Sequence, residues 1–273
     1  CAQESGPDGG RIPRAAPWRS FFIRPWLGIV MVLEIPNLIP KRFAVKWNWR
    51  PMVAGETILF SEMTPGPGWE DEFNAWYDSE HIPLRMAVPG FRGAQRYRRK
   101  EDSKYLAVYE MDSQEVLLTE AYRRVKEEPS ALTRRMLSSV SGFSRYIANQ
   151  TGVQRRADLS GDPLEAPVLY ALFSQVPENC RAEFEDWYAG EHVPALLKNE
   201  SWLMCRQFSV AVCEPWEVTH LGLHYLRDEN ALASPEREEA LTSEWRTRLS
   251  GESWFEEKEL VFERMGAGFH PKT

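Results

Sequence analysis

The chain predicts an α+β fold, two β-α-β-β-α-β repeats that pair their sheets into one intramolecular α/β barrel. Three observations point there. First, Phe73-Asn74-Ala75-Trp76-Tyr77-Asp78-Ser79-Glu80-His81-Ile82-Pro83 returns 111 residues later as Phe184-Glu185-Asp186-Trp187-Tyr188-Ala189-Gly190-Glu191-His192-Val193-Pro194, with Phe, Trp, Tyr, Glu, His and Pro in register. Second, strand-like and helix-like segments follow one another in the same order around each copy. Third, 273 residues that are 43% hydrophobic and 27% charged suffice for one large or two small globular domains.

Residues 1–51 stand apart. They hold eight of the 33 Lys/Arg and three of the 40 acids, so the remainder holds 25 against 37. The apolar run Trp26 to Ile39 is broken by Glu34 and Pro36 and is too short to span a membrane. No small-residue cleavage site follows it, so it fits a secretory signal poorly. We expect the folded part to start near Met52. The preceding basic, Pro/Gly-containing segment is then a poorly ordered extension or an over-extended reading frame, with an arm that wraps the surface as the alternative.

From Met52 to Gln150 the pattern is regular. Thr57 to Met63 is a short apolar strand closed by Pro65-Gly66-Pro67-Gly68. Glu70-Asp71-Glu72 suit the first turn of a helix running to about His81, and Pro83, which lacks an N–H, stops or kinks it. Pro89-Gly90 leads into a strand from Phe91 to Arg99, and Tyr105 to Met111 is the next. A helical region to about Ser139, broken near Pro129, precedes a fourth strand from Phe143 to Ala148. This is the ferredoxin-like order. Residues 151–165 read as a linker. The order then repeats over 166–273: strand Val168 to Ser174, helix to about His192, strands Trp202 to Val212 and His220 to Leu226, helix Ser234 to Leu249, and strand Trp254 to Arg264. Each unit has a sheet face that its helices leave bare. Joining the two bare faces encloses a barrel with helices outside, and association of two such chains into a homodimer is a further expectation.

The tandem Phe-x-x-Trp-Tyr-x-x-Glu-His-x-Pro motif, with Val88-Pro89-Gly90-Phe91 and Tyr105-Leu106-Ala107-Val108-Tyr109-Glu110, resembles the EthD-like branch of the dimeric α/β-barrel superfamily. The resemblance covers about 54–150 and 165–266. It implies a ferredoxin-like fold paired into a barrel. Its relatives include cofactor-independent monooxygenases, isomerases, polyketide cyclases and haem-binding enzymes. The second copy departs from the pattern after its helix, where Asn199-Glu200-Ser201 replaces the Val-Pro-Gly turn, so the two halves need not carry equivalent sites.

Two features carry candidate chemistry. On a helical wheel Phe73, Trp76, Tyr77, Glu80, His81 and Leu84 share one arc of roughly 140°. Glu80 and His81 could form an acid/base pair, with Trp76, Trp187 and His192 walling a ligand. The structural reading, slightly favoured because it recurs in both copies, has Glu80 bonding backbone amides and His81 a carbonyl freed by Pro83. In the third strands, aligning Leu106-Ala107-Val108 with Leu221-Gly222-Leu223 puts the aliphatic residues against the helices. Tyr105, Ala107 and Tyr109 then face a shared lumen with His220, Gly222 and His224. Two tyrosines and two histidines there could polarise a carbonyl and move a proton, with Ala107 and Gly222 leaving room for ligand. The alternative is a satisfied interior network without substrate.

Other chemistry has less support. The net charge of −7 gives no basic footprint for nucleic acid. His220 and His224 lie roughly 13 Å apart on an extended strand at about 3.3 Å per residue, too far to share one metal ion. Nucleotide-cradle, HExxH and GxSxG motifs are absent. Haem stays open, since one axial histidine suffices. Four scattered cysteines suit unpaired thiols in the cytoplasm. The basic strip Arg92, Arg96, Arg98, Arg99 and Lys100 reads as a solvated edge strand.

Two functions are consistent with these residues. One is a cofactor-independent isomerase, cyclase, lyase or monooxygenase acting on an aromatic or polyketide-like molecule, with His81, His220, His224 and Tyr109 catalytic and Tyr105 polarising the ligand. The other is a non-catalytic, ligand-binding or stress-associated barrel. A large continuous cavity touching His220, His224 and Tyr109 favours the first. A lumen filled by aromatic side chains favours the second.

Overall fold

The computed structural model describes residues 55–102 and 104–271, and the expectations for residues 1–51 and for Met52 lie outside them. Among the described residues there are eight strands and eight short α-helices. The first half holds β1 (Thr57–Thr64), α1 (Glu70–Trp76), α2 (Ile82–Met86), β2 (Phe91–Arg99), β3 (Tyr105–Met111), α3 (Glu120–Glu127), α4 (Ala131–Ser139) and β4 (Ser141–Arg155). The second holds β5 (Val168–Ser174), α5 (Arg181–Trp187), α6 (Val193–Leu196), β6 (Trp202–Glu214), β7 (His220–Leu226), α7 (Pro235–Thr242), α8 (Glu244–Ser250) and β8 (Glu257–Phe269). β4 occupies Thr151 to Arg155 of the segment read as linker, where it pairs with β6.

All strand pairs are antiparallel and close a barrel in the order β1-β3-β2-β8-β5-β7-β6-β4. Read from β4, the first four strands run β4-β1-β3-β2 and the rest run β8-β5-β7-β6. The seams are β2 with β8 and β4 with β6. The strip Arg92 to Lys100 is therefore no edge: Arg96 is 2% exposed, and Arg92, Arg98, Arg99 and Lys100 pair with Asp112, Glu70, Glu62 and Glu229.

The motif helix does not end at the proline. Between α1 and α2, Tyr77–His81 form a π turn in which the Ile82 N–H reaches back to the Tyr77 carbonyl. Tyr188–His192 repeat this between α5 and α6, with the Val193 N–H on Tyr188. The wider turn restarts the helix, so Pro83 and Pro194 fall in a first turn, where an N–H is not needed. The extra residue also rotates the next turn of helix. Leu84, placed on the packed arc by a regular wheel, is 41% exposed, while Ile82 is fully buried.

The lumen is a solid core. Phe60 packs edge-on against Tyr146, Phe173 and Phe262 at 5.5–5.9 Å between ring centres, with Leu106, Val108, Leu221 and Leu223 around them. Each fully buried phenylalanine contributes about 2 kcal/mol. One buried ion pair crosses from half to half: Arg206 donates to both oxygens of Glu110 at 2.6 and 2.9 Å and to Gln150 Oε1 at 2.7 Å.

This reverses the expected orientation of the third strands. The aliphatic residues Leu106, Val108, Leu221 and Leu223 line the lumen, and Tyr105, Tyr109, His220 and His224 face the helices. Period two fixes which residues share a face but not which face is which. Both sides of β3 and β7 are buried along their whole length, so no polar side orients them.

Candidate active site

The residues expected to meet in one lumen are divided between two helix-covered clusters, one per half. The ladders show the correspondence: Leu59 pairs with Tyr109 as Tyr170 pairs with His224, and Ala107 pairs with Arg96 as Gly222 pairs with Gln207.

In the first half the space under the motif helix is full. Trp76 and Tyr77 pack at a tilt against His81 with ring centres 4.3 and 4.6 Å apart. Burial, then Arg85 and Arg96, push the His81 pKa well below its usual value, so the ring is neutral and unsuited to the acid role. Glu80 does not orient it. Its carboxylate instead accepts from Ser130 Oγ at 2.5 Å and from Thr133 Oγ1, at the start of α4. Trp76 Nε1 donates to the same Thr133 hydroxyl at 2.9 Å. Glu191 repeats this bond on Ser243 Oγ at 2.5 Å, at the N-cap of α8. The recurring glutamate thus fastens the motif helix to the N-terminus of α4 in one half and of α8 in the other, where a carboxylate also suits the helix dipole. Side-chain hydroxyls replace the backbone amides expected from sequence. Tyr105 donates to Glu70, and Tyr109 lies beneath Arg85. The centre is filled by Arg96, whose guanidinium sits 4.7 Å over the Tyr77 ring and bonds Asp78 and Asn74.

In the second half Gln207 stands where Arg96 stands in the first, and a cavity of about 20 Å³ remains. Tyr188, Gly222, Glu185, His220, Leu172 and Gln207 are among its walls. Gly222 does not make room for ligand: a Cβ there would collide with the Tyr188 hydroxyl. That hydroxyl lies 2.7 Å from His224 Nε2, and Trp202 Nε1 donates to His224 Nδ1 at 3.0 Å. An indole N–H only donates, so Nδ1 accepts and Nε2 carries the proton given to Tyr188. The Tyr188 proton is then free to point elsewhere, with the Cys205 thiol beside it. Burial lowers the His224 pKa and raises that of Tyr188, so both are neutral. Burial also raises the Cys205 pKa, which keeps its thiol protonated.

At the open end His220 Nε2 lies 3.1 Å from Glu185 Oε1 and His220 Nδ1 lies 2.9 Å from Thr219 Oγ1. The bond from His220 holds the Glu185 carboxyl below its usual pKa. Glu185 is half exposed and connects the cavity to solvent. One cavity therefore carries a neutral phenol donor and a carboxylate acceptor to which the His220 ring is bonded. His192 and Trp187 stack at 4.8 Å behind it, and burial pushes His192 down to about 3.

Sequence reasoning missed Tyr188, Glu185, Gln207 and Trp202. The signal was available: at the 111-residue displacement Asn74 becomes Glu185 and Arg96 becomes Gln207. Haem does not fit these residues. Both His224 nitrogens are engaged, His192 and His81 are packed against tryptophans, and the cavities hold about a water each. Among the described residues no group of three or more His, Cys, Asp or Glu could hold a metal ion, and no helix is long and apolar enough to cross a membrane.

No family model matches the chain, and no curated protein matches it. Solved structures do. An anthrone oxidase-like protein superposes with a TM-score of 0.59 at 10% identity, covering 80% of this chain and 94% of its own. A protein provisionally assigned as a monooxygenase, from Fusobacterium nucleatum, gives 0.52 at 10% identity, covering 79% and 95%. A chlorite dismutase variant from Candidatus Nitrospira defluvii gives 0.51 at 8% identity, covering 77% and 91%. Likeness at such identities speaks to architecture alone, and the chain has the α/β-barrel fold of ferredoxin-like type that these proteins share.

Proposed function

We propose that the protein is a small-molecule-binding barrel enzyme whose site is the cavity under the motif helix of the second half. The reaction is cofactor-independent proton transfer, an isomerisation, cyclisation or elimination on an aromatic or polyketide-like substrate. Oxygenation of the same substrate class is the related alternative. The observation that supports this is the asymmetry between halves: Arg96 plugs one site, while Gln207 leaves the other open between a donor and an acceptor. Tyr188, held by His224, would donate to a substrate carbonyl as charge develops on its oxygen, and Glu185 with His220 would take the carbon-bound proton. Because about 20 Å³ holds only a water, substrate would enter by displacing the side chains around Leu172 and Phe184. The repeated motif and repeated strand order also support a tandem duplication within the EthD-like branch, and the free thiols of Cys180, Cys205 and Cys213 support a cytoplasmic setting.

A second reading, a non-catalytic ligand-binding barrel, draws support from the filled lumen and the small cavities. Native mass spectrometry of protein purified from its own host, followed by the Gln207→Arg variant, separates the readings. A retained small molecule that Gln207→Arg expels, with an unchanged unfolding midpoint, supports the site. Conversion of that molecule by wild type but not by Tyr188→Phe makes it an active site. Retention without conversion favours the second reading, and ligand that survives Gln207→Arg places the site elsewhere.

A further inference from the structure

A second cavity, of about 10 Å³, lies on the other side of Leu172, which lines both. His192, Glu257, Tyr170, Arg237 and Trp202 are among its walls. Two polar atoms of these residues are buried without a partner: His192 Nδ1 and Glu257 Oε1. The other Glu257 oxygen accepts from Arg246 at 2.5 Å, and the Glu257 side chain is 8% exposed. His192 is 5% exposed, and an Ala240 backbone bond also holds its ring. Trp187, stacked on His192, adds a third such atom, its Nε1.

The first half shows how this arises. There the equivalent indole, Trp76, donates to Thr133, three residues after the N-cap Ser130. In the second half Arg246 stands three residues after the N-cap Ser243, and it commits its guanidinium to Glu257. The substitution leaves the indole N–H without that partner, and the imidazole nitrogen and one carboxylate oxygen also lack partners. An unpaired buried polar group is costly, and native proteins usually meet that need with water.

We propose that this cavity is a binding site for one internal water that donates to His192 Nδ1 and to Glu257 Oε1. The neutral imidazole and the carboxylate oxygen are both acceptors, which suits a molecule with two donors. The free volume is at the lower limit for one water. The site sets an exchangeable proton source against Leu172, across from Tyr188. It rests on the accounting of polar atoms and stands whether or not the neighbouring cavity is catalytic.

A high-resolution crystal structure of the wild-type protein tests it. The expected result is one water within about 2.6–3.2 Å of both atoms. A dry cavity, or His192 Nδ1 bonded to a protein group, overturns the proposal. In solution, magnetisation transfer from a long-lived water to the His192 ring should appear in wild type and persist in Glu257→Gln, which keeps an acceptor oxygen. Glu257→Leu should abolish it, and transfer of unchanged strength in a folded Glu257→Leu protein would also overturn the proposal. If Glu257→Leu does not fold, the crystal structure and Glu257→Gln still decide the matter.

Discussion

Tyr188 accepts the only proton His224 Nε2 can give, so Tyr188→Phe removes a partner without removing volume. The exposed cost is a buried unsatisfied N–H, about 1–3 kcal/mol, read as a lower urea midpoint with unchanged slope. Three imidazoles, His81, His192 and His224, are buried neutral with pKa values pushed below the usual 6.5 by desolvation. Between pH 6.5 and the folded values the unfolded chain binds protons that the folded protein does not, so stability falls as the pH falls through that window. For His192 the window runs from 6.5 down to about 3. Each group contributes at most about 1.4 kcal/mol per pH unit, so the three together give a slope approaching about 4 kcal/mol per unit near pH 5. Urea unfolding at pH 7, 6 and 5 measures it, and a flat response would show that the imidazoles protonate in place. His192→Gln should reduce the slope by about one proton.

The π turns explain why a helical wheel misplaced Leu84 while correctly placing Phe73, Trp76 and Tyr77, which precede the extra residue. Deleting Ser79 removes the extra residue and leaves a regular helix with Ile82 and Met86 still facing the core, so chemical unfolding should show a far smaller loss than the ~3 kcal/mol expected of Ile82→Ala. The recurrence of Glu80 and Glu191 was legible, but their partners were not, because Ser130 and Ser243 lie about fifty residues along the chain and at a displacement of 113 rather than 111. A double-mutant cycle of Glu80→Ala with Ser130→Ala should give a coupling of about 1 kcal/mol. Additive losses would show that the short bond carries no stability of its own. The basic strip on β2 misled in a related way. Charge alone reads as solvent exposure, yet Arg96 is buried because two side-chain oxygens and three aromatic rings surround its guanidinium.

A closed barrel could be read from the motif, the strand order and the bare sheet faces, but the contents of the barrel could not. Alternation divided β3 and β7 correctly into two sets, and assigned them to the wrong sides because lumen and helix layer are both dry. Arg206 and Glu110 hold the halves together through that dry interior. Arg206→Met alone strands Glu110 as a buried charge, with an expected cost of about 3–5 kcal/mol in urea unfolding, whereas Arg206→Met with Glu110→Gln should recover most of it. Closure of the sheet has a temporal consequence as well. Synthesis delivers β1 to β4 long before β6 and β8, so the nascent first half waits with β2 and β4 as unpaired strand borders. β8, made after the other seven, seals one of them. Until it is made, those borders are open to pairing with another molecule.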